Sequence, residues 1–223
     1  MTADDGWVLV AGHQAVLERA GRVLQVPAGT RLFDAGQADD RIFAIRQGRV
    51  RTFAIAPEGQ EITTGVWSRG SVMGLLGAME HGGKLLSAQT LDAVELLVLQ
   101  EDRLHQLVLE HPDLGWALMR LLARMASSSI QRALRLASAS APQRLVDALV
   151  MLCELPEARH GGLPRGAVIE GISQETLAGL SGASRPWTAQ AMGDLARRGL
   201  LEQARLHIRV PDVARLRSAV LTG

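Results

Sequence analysis

A change of hydrophobic period near residue 100 constrains this chain more than any other feature. Between Arg22 and Leu99, short apolar runs alternate with glycine-containing turns. Strands at this spacing predict a sandwich or barrel-like β domain. From Glu101 to about Ala139 the sole glycine is Gly115, and leucines recur near helical spacing. The sequence therefore predicts a β domain followed by long helical structure.

The helical zone contains a start signal for one long helix. His111-Pro112-Asp113 supplies a break, followed by a first-turn proline and acid. A helix from 112 to about 138 would be roughly 40 Å long, and an apolar stripe of that length most simply pairs with its own copy. The alternative is two shorter helices packed together. The predicted dimer stripe consists of Leu114, Leu118, Leu121, Leu122, Met125 and Leu136.

The stretch SGASRPWTAQAM, residues 181–192, indicates a junction between two short helices. Gly182 suits the end of the first helix and Ser184 the N-cap of the second. Pro186 is tolerated in a first turn, where the N–H has no intrahelical partner. Two helices joined this tightly predict a helix-turn-helix. Two short strands around a tip at Ala204-Arg205 extend the prediction to a winged helix.

Together these zones predict an α+β protein in three parts. A sandwich or barrel-like β domain would occupy residues 1–110, a dimerisation helix and hinge 111–140, and a winged helix-turn-helix domain 141–223. Residues 1–110 hold 10 Lys/Arg and 14 Asp/Glu, whereas residues 111–223 hold 14 and 9. A mildly basic second half is compatible with DNA binding without requiring it.

Several classes of protein are disfavoured. Cys153 is the one cysteine, which excludes an intrachain disulfide and a cysteine cluster for zinc or iron–sulfur. The first ten residues are acidic where a signal peptide is basic, and no apolar run approaches the ~20 residues of a membrane span. We therefore expect a cytoplasmic protein without a membrane partner. Motifs typical of nucleophilic, metal-dependent or nucleotide-dependent enzymes are absent, so we expect no enzyme.

The order of β domain, long helix and winged helix resembles the Crp/Fnr family of bacterial transcription regulators. The resemblance implies that the β domain is a β-roll (jelly-roll-like) and serves as the sensor domain. Three segments carry the resemblance over nearly the full chain: RIFAIRQGRVR (41–51), EGQEITTGVWSRGSVMGLLGAM (58–79) and ISQETLAGLSGASRPWTAQAMGDLARRGLL (172–201). The resemblance implies a homodimer that binds double-stranded DNA at a roughly palindromic operator. It also implies contact with RNA polymerase if the protein is an activator. The same fold without DNA binding, as an interaction protein, is the alternative.

The resemblance also places an effector cassette in the β-roll. Members that bind cyclic AMP use a glutamate for the ribose and an arginine for the phosphate. The matching positions here are Leu75 and Leu86, so both polar anchors are missing. A hydrophobic effector, or none, fits better than a nucleotide, and a cyclic-AMP-dependent regulator with an altered cassette is the alternative. The candidate pocket comprises Gly74, Leu75, Leu76, Leu86, Ser87, Ala88, Ser128 and Ser129.

Other cofactors of the family fit poorly. Iron–sulfur sensing needs several cysteines. Haem sensing needs an axial histidine, and His81 lies near the right region, although a lone histidine is more commonly a surface residue. The serines at 128 and 129 either face a pocket or lie at solvent or interface positions. We therefore expect no bound cofactor.

The helix 185–198 matches the recognition helix of the family with altered reading residues. Arg185 matches an arginine that reads guanine through O6 and N7; a base or phosphate contact is expected, with a solvated surface charge as the alternative. Pro186 stands where a glutamate is usual, and Gln190, which prefers adenine, stands where an arginine is usual. We expect an operator unlike the family's TGTGA-type half-site. The candidate DNA-binding residues are Ser173, Gln174, Ser184, Arg185, Pro186, Trp187, Ala189, Gln190, Arg205 and Arg209.

Overall fold

The structure is a computed structural model that describes residues 11–219 except 58, 60, 81, 82 and 159–164. The strands are β1 (Arg22–Val26), β2 (Arg31–Phe33), β3 (Arg41–Gln47), β4 (Val50–Ile55), β5 (Glu61–Trp67), β6 (Val72–Met73), β7 (Ser87–Thr90), β8 (Val94–Gln100), β9 (Ala167–Glu170), β10 (Glu202–Ala204) and β11 (His207–Val210). The helices are α1 (Ala11–Ala20), α2 (Leu75–Glu80), α3 (Glu101–Glu110), α4 (Pro112–Ser138), α5 (Ala141–Cys153), α6 (Gln174–Ser181), α7 (Arg185–Arg197) and α8 (Val213–Ser218). The predicted α+β class is confirmed.

Contacts divide the chain into two compact units. The first comprises the described residues up to 53 together with 67–131, and the second comprises 54–66 together with the described residues from 132 onward. The tip of the β4–β5 hairpin is thus grouped with the helix-turn-helix part of the chain. The three-part division at 110 and 140 stays a prediction.

Two four-stranded sheets form the β-roll, with strand orders β1-β8-β3-β6 and β2-β7-β4-β5. The turn from β3 to β4 requires a glycine, because Gly48 has a φ of +80° and a Cβ there would lie 2.5 Å from the carbonyl oxygen of Ala93. Between the sheets, the rings of Phe33 and Phe43 stack with their centroids 5.5 Å apart. The other buried members of this cluster are Val26, Ile45, Val50, Met73, Ala88, Val94 and Leu96.

A second cluster packs strands of the first sheet against helices of the same unit. Helix α4 contributes Leu114, Leu118 and Leu121, whose spacing of four and three residues puts them on one face. They are buried in this unit, at 0%, 8% and 2% exposure. These three leucines therefore belong to the core of one chain, and their assignment to a dimer stripe was wrong. Leu122 and Met125 pack partly against the same cluster.

Helix α4 is a single helix of 27 residues, as predicted, and not two shorter ones. Pro112 occupies its first turn, where a missing N–H costs nothing. None of the helices in the described part of the chain is long and apolar enough to cross a bilayer.

The second unit packs α5, α6, α7 and α8 with the three-stranded sheet β10-β11-β9. Ser140 and Gln143 form a capping box at the start of α5, and each side chain pairs with the backbone N–H of the other. The wing tip lies one residue later than predicted. Because Ala204 pairs with His207, the loop consists of Arg205 and Leu206. The largest buried side chains of this unit are Leu145, Leu149, Leu152, Ile169 and Leu177.

Two arginines hold the carboxyl end of α6 within the second unit. Arg144 donates to the carbonyls of Ser181 and Ala139, each at 2.7 Å. Arg132 donates to the carbonyl of Thr64 at 2.6 Å and to that of Leu180 at 3.4 Å. Cations at a helix carboxyl end are favoured by the helix dipole. The turn that follows α6 is therefore fixed in position.

Candidate nucleic-acid interface

The helix-turn-helix forms as the stretch 181–192 predicted. The hydroxyl of Ser173 accepts a hydrogen bond from the backbone N–H of Thr176 at 3.0 Å and caps the start of α6. Helix α6 ends at Gly182, whose φ of +61° suits glycine. Ser184 then caps α7 by accepting from the backbone N–H of Trp187 at 3.4 Å. Three residues thus join the two helices and set their angle.

One face of α7 is buried and the other is open to solvent. Thr188, Met192 and Leu195 are buried. The exposed face begins with the side chain of Arg185, which makes no hydrogen bond or ion pair with any residue that the structure describes. The predicted DNA-binding residues Ser184, Arg185, Pro186 and Gln190 are exposed, and Trp187 and Ala189 are half-buried.

A cleft of about 470 Å³ opens where α6, α7 and the wing meet. It brings four predicted residues together, Ser173, Gln174, Arg185 and Arg205. Gln190 and Arg209 lie outside its lining. The polar residues of the lining that the sequence analysis did not select are Glu175 and Gln203.

The two wing arginines differ in how free their charges are. Arg209 donates to the carboxylate of Glu202 across the β10–β11 pair at 2.7 Å, which offsets its charge. Arg205, at the tip, has no polar partner within the described chain. The free cations of the cleft are therefore Arg185 and Arg205, and Glu175 is the acidic member of its lining.

A buried lysine occupies the effector cassette of the β-roll. The ammonium group of Lys84 donates to the carbonyl of Arg41 and, at 3.5 Å, to that of Gly74. It also lies 5.3 Å and 5.8 Å from the ring centroids of Phe33 and Phe43. Lys84 is 3% exposed, and this burial lowers the pKa of its amine. The buried ammonium group of Lys84 therefore places a positive charge of the protein's own inside the cassette.

Two of the predicted effector-pocket residues belong to different hydrophobic clusters. Leu75 lies in the cluster against the helices, whereas Ala88 lies in the cluster between the sheets. The effector pocket therefore stays a prediction. The hydroxyl of Ser87 accepts from the backbone N–H of Ala35 at 3.0 Å and is buried.

The remaining cassette positions are more open. Leu76 is exposed, and Leu86 is half-buried. On α4, Ser128 is half-buried and Ser129 is exposed. His81, the candidate haem ligand, lies outside the described residues.

Comparison with known proteins agrees with both halves of this architecture. Residues 23–111 match the family model of the cyclic nucleotide-binding domain, and residues 143–219 match that of the Crp-like helix-turn-helix domain. The chain belongs to the Crp/Fnr family of transcription regulators. Members of the Crp/Fnr family are not enzymes, which confirms that expectation.

Relatives with assigned functions in the Crp/Fnr family are also regulators. The chain is 27% identical over 202 residues to the CRP-like cAMP-activated global transcriptional regulator of Mycobacterium tuberculosis, covering 91% of this chain and 89% of the relative. It is 32% identical over 141 residues to the transcriptional activator protein Anr of Pseudomonas protegens, covering 63% and 57%. This Crp/Fnr protein is thus a transcription regulator with a DNA-binding helix-turn-helix.

Solved structures of Crp/Fnr regulators share the fold. The c-di-GMP-responsive global regulator CLP of Xanthomonas campestris matches with a TM-score of 0.76 and 24% identity, over 90% of this chain and 98% of that one. A CRP/FNR-family transcriptional regulator from Thermus thermophilus matches with a TM-score of 0.75 and 23% identity, over 90% and 99%.

Proposed function

We propose that this regulator binds a roughly two-fold-symmetric DNA site as a homodimer and does so without cyclic AMP. The observation that carries DNA reading is the open face of α7, which begins with the unpaired guanidinium of Arg185. A guanidinium can donate two parallel hydrogen bonds to guanine. Pro186 and Gln190, exposed on the same face, would give a half-site that differs from TGTGA.

A second apolar stripe on α4, separate from the face of Leu114, Leu118 and Leu121, supports the proposed homodimer. Its seven residues are exposed and follow each other at alternating spacings of three and four, the pattern of a coiled-coil seam. Trp116, Met119 and Ile130 are 63%, 55% and 62% exposed, a large apolar surface for one chain in water. We propose this seam as the dimer interface, with Leu122 and Leu136 beside it. The seam consists of Trp116, Met119, Ala123, Ala126, Ile130, Ala133 and Ala137.

The contents of the cassette support independence from cyclic AMP. A cyclic phosphate needs a cationic partner when it is buried. The ammonium group of Lys84 is already bound to the carbonyls of Arg41 and Gly74. The guanidinium of Arg51, on the neighbouring strand β4, donates to the side-chain oxygen of Gln89 at 2.7 Å. Leu75 and Leu86 replace the polar anchors of cyclic-AMP-binding members, in contrast to a relative that is described as cAMP-activated.

Site selection from a random duplex pool tests this function. The purified protein is presented with the pool at moderate salt without added ligand, and in parallel with cyclic AMP. We expect a palindromic site to be enriched equally in both arms. Enrichment in the cyclic AMP arm alone would overturn effector independence, and no enrichment in either arm would overturn constitutive DNA binding. If a site is enriched and activates transcription, contact with RNA polymerase is the next property to test.

A further inference from the structure

We propose that Leu206, at the tip of the wing, packs against a deoxyribose of bound DNA; this inference rests on the proposed DNA binding. Arg205 and Leu206 alone form the loop between β10 and β11. Leu206 is 47% exposed, a large apolar side chain at the tip of a hairpin. It lines the same cleft as Arg185 and Arg205.

The backbone at Leu206 adopts a conformation that leucine disfavours. Its φ is +55°, and among the described residues it is the one non-glycine in the left-handed region. There the Cβ of an L-residue crowds the following carbonyl oxygen, so glycine, asparagine or aspartate is usual. Backbone strain of this kind concentrates at functional sites. A leucine here lowers the stability of the fold and leaves its side chain half in water.

The tip is anchored over the start of the helix-turn-helix. The carbonyl of Leu206 accepts a hydrogen bond from the backbone N–H of Gly171 at 2.8 Å. Gly171 lies two residues before Ser173, the cap of α6. The tip therefore presents its side chain to the cleft from a fixed position, which reduces the entropy lost on binding.

The cleft matches the chemistry of a sugar–phosphate strand. Such a strand alternates anionic phosphates with the apolar faces of deoxyriboses. The unpaired guanidinium of Arg205 suits a phosphate, and the adjacent Leu206 suits the neighbouring sugar. This contact reaches no base edge, so it adds affinity without sequence preference.

The variant Leu206→Gly tests the backbone strain at this position and the proposed DNA contact by two separate measurements. Glycine relieves the strain at positive φ, so we expect the melting temperature to rise. We expect the affinity for a duplex recovered by site selection, and for a random duplex of equal length, to fall roughly tenfold, because a buried leucine contact is lost. The slope of log affinity against log salt should not change. In Arg205→Ala the magnitude of that negative slope should decrease by about 0.9, because one phosphate contact is lost.

Leu206→Met is the matched control, and it should bind both duplexes within about twofold of wild type because it keeps an apolar contact. Wild-type affinity in Leu206→Gly overturns the inference. A lower melting temperature in Leu206→Gly overturns the proposed strain, and a changed salt slope overturns the apolar nature of the contact. If the wild-type protein binds neither duplex, the proposed DNA binding is overturned together with this inference. If the wild-type protein does bind, the results for the variants bear on Leu206 alone.

Discussion

Arg185 is the residue on which the proposed sequence-specific reading depends most. Its side chain stands at the start of α7, is exposed and has no polar partner in the described chain. Removing it leaves no buried group unsatisfied, so folding stability should stay the same. The effect of a substitution can therefore be assigned to DNA contact.

We expect Arg185→Ala to weaken binding to the selected site by roughly 10- to 100-fold and to relax preference at one base pair. Fluorescence anisotropy with the selected duplex and its point variants measures both effects. Arg197→Ala is the control, because Arg197 lies at the other end of α7 and pairs with Asp194. Equal losses in the two variants would contradict base reading by Arg185.

Cys153 makes stability depend on pH in the alkaline range. Burial, with a smaller contribution from the charge of Glu154, raises the pKa of its thiol from 9.0 to about 12. A raised pKa in the folded state favours folding below pH 9, and this contribution is lost as the pH rises from 9 towards 12.

Between about pH 8.5 and about pH 10.5, the unfolding free energy of wild type should therefore fall more steeply than that of Cys153→Ala, by up to ~1.4 kcal/mol per pH unit. Urea unfolding at several pH values measures the difference. Because Lys84 is present in both proteins, its own titration cancels. Parallel curves would contradict the raised pKa.

At the scale of the element, α4 has two apolar faces in different environments. The face of Leu114, Leu118 and Leu121 packs within the first unit. The seam that includes Ala126 and Ile130 is exposed. Sequence periodicity located the helix, but it could not decide which face serves which partner. Leucines dominate the hydrophobic signal, whereas the alanines of the seam contribute little to it.

Ile130→Glu should give a folded monomer, because it puts like charges across a symmetric seam while changing a residue that is 62% exposed. Leu118→Ala should do the reverse, lowering the unfolding free energy by about 2–5 kcal/mol and leaving the dimer intact. Sedimentation gives the mass of each variant, and thermal unfolding gives its stability. A dimeric Ile130→Glu protein would place the interface elsewhere.

At the scale of the whole molecule, a dimer fixes the separation of its two recognition helices. We expect five base pairs inserted between the half-sites of the selected operator to weaken binding roughly a hundredfold, because the insertion rotates one half-site by about half a helical turn. The same five base pairs placed outside the operator are the control. Unchanged affinity for the split operator would mean that each protomer binds alone.

The order of elements, the long helix and the turn at Gly182 could all be predicted from sequence, because period changes and capping residues are local signals. The contents of the effector cassette could not be predicted from the sequence. The position of Lys84 over Phe33 and Phe43 depends on long-range packing, which no local sequence signal predicts. The wing tip was misplaced by one residue for a similar reason, since strand register is set by pairing between Ala204 and His207.

Lys84 has a consequence for how the protein's charge can be changed. It is the only lysine of the chain, and it is buried. Every cation on the surface around α7 and the wing is an arginine, which keeps its proton at any physiological pH. Lysine acetylation, which neutralises DNA-binding lysines in other proteins, therefore has no accessible side chain here. Control of DNA binding by lysine modification is therefore closed to this protein, and the arginines offered to DNA keep their charge.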